Sequence, residues 1–251
     1  MSTPKLSAYY VSDEETQGYA EILRALRDCP IPDDERLKHL PLFLNRSLLG
    51  HILFMDELYR LILPVHGLIM EFGVRWGRNL ALFTMLRSLY EPHNFSRRVV
   101  GFDTFGGFPS VSPKDGSSKS IKVGTLAVTP GYEEFLAGLL GSHEKLAPRS
   151  HLRKFELVKG DATETLPRYL KDHPETIVAL AYIDFDLYEP TKKCLELIRD
   201  RLTKGSVLAF DELALPEFPG ETAAFQEIIG CRHARLRRSP LVPYQSYLVV
   251  E

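Results

Sequence analysis

Two pairs of acids, Asp184-Phe185-Asp186 and Asp211-Glu212, carry the residue types and spacing most able to do chemistry in this chain. Each pair closes an apolar run of strand character: Ile177 to Ile183 before the first, Ser206 to Phe210 before the second. Continuous apolar runs of this length read as buried parallel strands. Open α/β sheets bind ligands at the carboxyl ends of their strands. Four carboxylates converging on one crevice repel each other unless a cation sits among them. A divalent metal held by oxygen ligands is the simplest such cation.

A third feature is the turn Glu71-Phe72-Gly73-Val74-Arg75-Trp76-Gly77, which follows an apolar run and opens a helix. Glycines there let backbone approach a ligand closely. The spacing is Glu-x-Gly-x-x-x-Gly, which weakens a pyrophosphate-gripping dinucleotide site of the Gly-x-Gly-x-x-Gly kind. An acid just before the turn suits a cofactor with a cationic amino group, and S-adenosylmethionine has one. Asp103 ends the next strand, where acids take two ribose hydroxyls. Gly160-Asp161-Ala162 ends the third, where an adenine would lie. The plain alternative is a tight strand–helix turn and nothing more. Glu71, Asp103 and Asp161 at successive strand ends weigh against it. For the first acid pair, the plain alternative is an Asp that caps the helix starting near Glu189.

The elements that position these residues follow from periodicity. Asp13 to Cys29 and Arg46 to Leu63 read as N-terminal helices, stopped by Pro30-Ile31-Pro32 and Pro64. Strands and helices then alternate. Strands are expected at Gly67–Gly73, Arg98–Asp103, Phe155–Val158, up to Asp184 and up to Asp211. Helices are expected at Arg78–Leu89, Gly131–Lys145, Thr163–Lys171, Glu189–Leu202 and Glu221–Ile229. Ala234–Arg238 and Tyr244–Val250 read as a closing antiparallel pair. The alternation predicts a doubly wound, mostly parallel α/β sheet. It divides the chain into an N-terminal helical extension over 1–64 and a ligand-binding domain over 65–251. The 104–130 segment is rich in Gly, Ser, Pro and Lys, and is a candidate lid, as long loops inside compact domains are usually functional or disordered.

The 251 residues, 44% of them hydrophobic, suffice for one α/β core with an appendage. A net charge of −2 points to no nucleic-acid or membrane-surface partner. No apolar h-region follows Met1, and no run is apolar for long enough to span a bilayer. Cys29, Cys194 and Cys231 are few and far apart, which fits a reducing cytoplasm and ordinary free thiols. Lys114, Lys119 and Lys122 could attract a diphosphate, and Tyr9 and Tyr10 could belong to an N-terminal lid. Arg232, His233, Arg235, Arg237 and Arg238 read as a solvated strand rather than an RNA surface. His66 fits either core or pocket.

Taken together, Glu71-Phe72-Gly73-Val74, Asp103-Thr104-Phe105-Gly106-Gly107-Phe108-Pro109 and Asp184-Phe185-Asp186-Leu187-Tyr188-Glu189-Pro190-Thr191 resemble the macrocin-type sugar O-methyltransferases over residues 65 to 230. That family's glycine turn reads Val-Trp-Arg-Gly-Gly, against Val74-Arg75-Trp76-Gly77-Arg78 here, and its second acid pair is commonly Asp-Asp. The resemblance implies a class I, Rossmann-like methyltransferase sheet of about seven strands, the last antiparallel. It implies S-adenosylmethionine, a divalent metal of the Mg²⁺ type, a nucleotide-linked deoxysugar as substrate and a homo-oligomer. Asp184, Asp211 and Glu212 become the expected metal ligands and Asp186 the expected base. The expected cofactor contacts are Glu71, Gly73, Arg75, Gly77, Asp103, Thr104, Asp161, Ala162 and Asp184. If the segment is extended, Asp184 and Asp186 point the same way.

Competing readings use the same fold. A methyltransferase of a catechol, a phenol or a glycosylated natural product would need an aromatic slot instead of a basic pocket. A nicotinamide-dependent oxidoreductase lacks its glycine fingerprint here. A non-catalytic partner protein would have no use for the acids.

Overall fold

The apolar runs become one seven-stranded sheet in the computed structural model, which describes residues 12–251. Its strands are β1 (Leu68–Phe72), β2 (Val99–Asp103), β3 (Phe155–Lys159), β4 (Val178–Ile183), β5 (Leu202–Phe210), β6 (Arg237–Arg238) and β7 (Ser246–Val249). Its helices are α1 (Asp13–Arg27), α2 (Asp33–Arg36), α3 (Arg46–Leu61), α4 (Arg78–Tyr90), α5 (Tyr132–Lys145), α6 (Ala162–Asp172), α7 (Tyr188–Ile198) and α8 (Pro219–Ile228). Tyr9 and Tyr10 lie outside the described residues.

The strand order is β3-β2-β1-β4-β5-β7-β6. Strands β1 to β5 pair in parallel, and β7 runs antiparallel to both β5 and β6. This is the doubly wound sheet expected, with its antiparallel closure. The chain lays β2 and β3 on one side of β1, then crosses to lay β4 and β5 on the other. The order therefore reverses between β1 and β4, where such sheets open a crevice at the carboxyl ends.

Alternation sorts the strand residues between two apolar layers. Ile69, Leu180, Tyr182, Val207 and Ala209 pack with Phe54 and Leu58 of α3, Leu80 and Phe83 of α4, and Leu136 and Leu140 of α5. Met70, Phe72, Ala181, Ile183, Leu208 and Phe210 pack with Leu166 of α6, Leu195 and Ile198 of α7, and Phe225 of α8. By parity, Glu71 shares the face of Ile69, and Asp211 that of Ala209.

The chain divides into two compact units, one ending at Ile52 and one running from Leu53 to Glu251. In the first, Ser12 and Glu15 form a reciprocal cap on α1, and the Asn45 carboxamide oxygen accepts from the Leu48 N–H at 2.7 Å to start α3. Helix α2 and the 3₁₀ turn Leu37–Phe43 were not expected from the sequence.

Two expectations need correction. Helix α7 ends at Ile198, and Leu202 already belongs to β5. Gly205, at φ +89°, lets β5 start earlier than its apolar run by bending the strand, and the Ser206 hydroxyl bridges Thr203 N–H to the Val178 carbonyl. His66 is exposed and belongs to neither core nor pocket. The 104–130 segment, the candidate lid, is tied at its middle to the start of α7 through Asp115.

Candidate active site

Backbone hydrogen bonds bring the acid-bearing turns level with one another. Gly73 N–H donates to the Phe102 carbonyl (3.0 Å), Asp184 N–H to that of Phe72 (2.8 Å) and Asp211 N–H to that of Ile183 (3.0 Å). At these strand ends the carboxyls of Glu71, Asp103, Asp184 and Asp211 come near enough for Glu71 to feel Asp103 and Asp211, and for Asp184 to feel Asp211 and Glu71.

The two expected acid pairs do converge. Asp186 is buried and Glu212 half-buried, and their side chains hydrogen-bond to each other. Burial pushes both carboxyls above their usual range, and for Glu212 the hydrogen bond and the charge of Asp186 add to it. Burial also holds Asp184 well above the carboxylate range, with the charges of Asp211, Asp186 and Glu221 behind it. Asp211 Oδ1 accepts from the Tyr182 hydroxyl at 2.5 Å and from Gln245 Nε2 at 3.0 Å. Two cations lean on the cluster: Arg75 lowers the Asp186 pKa against burial, and Arg78 does the same for Glu71.

The turn between Asp184 and Leu187 is not extended, as the alternation argument had assumed. Asp186 sits at φ +62°, in the left-handed region. The expected shared direction of Asp184 and Asp186 therefore has no basis in strand geometry. Nor does an acid of this turn cap α7. Asp115, from the middle of the 104–130 segment, does so: its Oδ1 accepts from Tyr188 N–H at 2.6 Å, and its Oδ2 from Ser112 N–H at 2.6 Å. Lys114 beside it donates to the Tyr188 hydroxyl (2.7 Å) and pairs with Glu227 (2.9 Å). Of the three loop lysines, Lys114 is thus engaged within the protein, whereas Lys119 and Lys122 are exposed.

Among the residues expected at the cofactor, Glu71 is the most telling. It is 1% exposed, and burial, with Asp103 nearby, holds its pKa well up. Asn79 hydrogen-bonds to it, yet its Oε2 has no partner. A buried carboxylate oxygen left unpaired suits an incoming cationic amino group. Gly73, at φ +92°, packs so tightly that a Cβ would lie 1.9 Å from the Asp184 carbonyl oxygen. Arg75 (φ +48°) donates its backbone N–H to Asp103 Oδ2 at 2.7 Å, and Phe105 N–H binds Oδ1 at 2.5 Å. Gly77 takes the left-handed cap of α4. Thr104 holds its own loop through the Gly107 carbonyl. Asp161 caps α6 by accepting from Thr163 N–H at 2.8 Å, and Ala162 is buried behind it. Asp103, Thr104 and Asp161 thus shape the turns at the strand ends.

The donor set fits a divalent cation in its chemistry: hard oxygens, mutual repulsion, and a buried Glu212 Oε2 without a partner. Among the described residues, however, no three His, Cys, Asp or Glu side chains are grouped so as to hold a metal ion. The carboxylates are instead turned to Tyr182, Gln245 and each other.

Sequence reasoning missed Tyr182, Gln245, Asp115 and Glu221. Tyr182 was readable, since it lies two residues before Asp184 on one strand. Asp115 was readable as well, since Ser112-Pro113-Lys114-Asp115 is a capping-box pattern. Gln245 and Glu221 carry no local signal.

Residues 70–213 match a family model described as a methyltransferase domain. Among solved structures, the chain is similar to the calicheamicin methyltransferase CalS11, with 48% identity over 96% of this chain and 94% of that one and a TM-score of 0.93. A second structure, apo CalS11, is described as TDP-rhamnose 3′-O-methyltransferase, an enzyme in calicheamicin biosynthesis. It is 45% identical over 96% of both chains, with a TM-score of 0.85. The O-methyltransferase NovP, at 18% identity over 80% of this chain and 79% of that one and a TM-score of 0.61, shares the fold. No curated protein matches the chain.

Proposed function

The chain belongs to the methyltransferase-domain family and is an S-adenosylmethionine-dependent O-methyltransferase, and from that premise we propose that it methylates a sugar hydroxyl of a nucleotide-linked deoxysugar, with the 3-hydroxyl of TDP-rhamnose favoured, in antibiotic biosynthesis. The observation that carries the reading is the convergence of Asp184, Asp186, Asp211 and Glu212 at the switch point, facing the turn of Glu71. The choice of sugar rests on the likeness to CalS11 along the whole chain.

A sugar hydroxyl keeps its proton to high pH and is a weak nucleophile until that proton is removed. Asp186 is the proposed base: its carboxylate takes the hydroxyl proton as the new oxygen–carbon bond forms. Glu71 holds the cofactor's amino group, and Asp103 holds the ribose from the neighbouring strand end. Gly73, Arg75, Gly77, Thr104, Asp161 and Ala162 form the rest of the cradle. S-adenosylmethionine, when bound, supplies an already electrophilic methyl group and leaves as the neutral thioether. Asp184, Asp211 and Glu212 would hold a Mg²⁺-type ion, which lowers the pKa of a bound hydroxyl and orients its oxygen. Buried acids with raised pKa values release a proton on taking up such a cation.

The test is methyl transfer from S-adenosylmethionine to TDP-rhamnose, with Mg²⁺ and with chelator. Transfer is expected to need the metal, with turnover at least about tenfold lower after chelation, the equivalent of about 1.4 kcal/mol of barrier. Full turnover under chelation would remove the metal from the proposal. Transfer to a catechol and not to the nucleotide sugar would move the substrate class.

No helix among the described residues is long and apolar enough to cross a membrane. The three cysteines are free, which supports a place in the reducing cytoplasm. We also propose a homo-oligomer. Leu37, Leu42 and Leu49 of the N-terminal unit are exposed, and an apolar surface of this kind supports self-association. Light scattering on the eluting protein is expected to give a multiple of 28.5 kDa, and a monomer mass would reject this.

A further inference from the structure

We infer that Glu221 is a positioning residue for this reaction: its buried carboxylate ties the backbone of the Asp184–Asp186 turn to that of the Asp211–Glu212 turn. The inference rests on the reading of Asp186 as the base and names what holds that base in place.

Glu221 lies in the first turn of α8 and is 0% exposed. Its Oε1 accepts from Phe185 N–H at 3.0 Å and from Asp186 N–H at 3.2 Å. Its Oε2 accepts from Glu212 N–H at 3.4 Å. One carboxylate thus reaches both acid pairs through their main chains. The residue before it is held close too: a Cβ on Gly220 would lie 2.6 Å from Asp115 Oδ1, 2.6 Å from Tyr188 N and 2.7 Å from the Asp186 carbonyl oxygen. The start of α8 is therefore pressed against the turn that carries Asp186.

An aspartate at φ +62° persists only where surrounding bonds over-determine it. The two N–H bonds to Glu221 hold the N-terminal side of that strained residue, at its own amide and at the amide before it. A carboxylate buried amid four other acids is costly, and an apolar side chain of similar size would remove that cost only by leaving three amide N–H groups without an acceptor. What the carboxylate adds is acceptance of three amide protons on two catalytic turns.

Glu221→Met removes the acceptor at similar volume and leaves the three amides it served unpaired. It is expected to fold, to keep its affinity for S-adenosylhomocysteine, and to lose about 10- to 100-fold in kcat, the scale of a small misplacement at a reacting centre. The Phe185 and Asp186 amides should lose protection against hydrogen exchange. Glu221→Gln keeps one oxygen for those two amides and should recover the larger part of kcat. In an Asp186→Asn background, Glu221→Met should cost much less than in the wild type, because both act through one group. A wild-type kcat in Glu221→Met, or a full additive cost on top of Asp186→Asn, would overturn the inference. If Glu221→Met does not fold, Glu221→Gln decides through the Glu212 link: kcat below wild type with cofactor affinity kept supports it, and unchanged kcat overturns it. Normal turnover in Asp186→Asn would instead sink the base assignment itself.

Discussion

Asp186→Asn is expected to lower kcat by about 10²–10⁴-fold, the range general-base catalysis contributes, while S-adenosylhomocysteine still binds. The side chain keeps its size, so the buried turn at φ +62° keeps its packing. The amide can still meet Glu212, but it cannot take a proton. Cofactor binding should persist, since Glu71 and Asp103 lie on β1 and β2 and not on this turn. The measurement is single-turnover methyl transfer to TDP-rhamnose at saturating cofactor, paired with calorimetric titration of S-adenosylhomocysteine. Turnover near wild type would remove Asp186 from the mechanism and leave Asp184 as the nearest candidate. Loss of cofactor affinity along with kcat would mean the turn had collapsed.

Gly73→Ala should damage fold and site together. Gly73 follows β1 at the switch point, and its φ of +92° is unfavourable for any residue with a Cβ. A methyl there would lie 1.9 Å from the Asp184 carbonyl oxygen and 2.7 Å from its carbon. Those atoms are main chain, held by the Asp184 N–H bond to the Phe72 carbonyl, and cannot rotate away. Relief must come from parting the ends of β1 and β4, which also separates Glu71 from the acid pairs. A destabilisation of about 3 kcal/mol or more is expected, in the range of severe backbone and packing errors. For a domain of this size that is a fall of roughly 6–12 °C in Tm. Gly138→Ala is the control. It sits in the middle of α5 with open space at the Cβ position, and should stabilise by about 0.5–1 kcal/mol through helix propensity. If the Gly73 variant melts and binds cofactor like the wild type, the close approach of the two strand ends is not what holds the crevice.

Most of the sheet was legible in the sequence because burial on both faces leaves a mark on every residue of a parallel strand. The runs ending at Phe72, Phe102, Ile183 and Phe210 are apolar almost without break; Asp103, Asp184 and Asp211 follow where the last three stop, and Glu71 sits inside the first. The early start of β5 was hidden because Leu202 is only half-buried, Thr203 and Lys204 are exposed, and the three carry no apolar run. The loop anchor was hidden for another reason. Asp115 meets Tyr188 across 73 positions of chain, and no local period reports such a contact.

Chemistry and geometry divide along the same line. The sequence by itself determined which carboxylates stand at strand ends, that a glycine turn follows Glu71, and that the fold is doubly wound. These follow from local periodicity and from the need of polar side chains to leave the core. Only the tertiary structure decided that Asp186 turns left-handed, that Glu212 faces Asp186 while Asp211 faces Tyr182 and Gln245, and that Glu221 bridges both pairs. Those features depend on which buried amide finds which oxygen. Every buried N–H must be paired, and the partner that happens to be near is set by how distant segments pack.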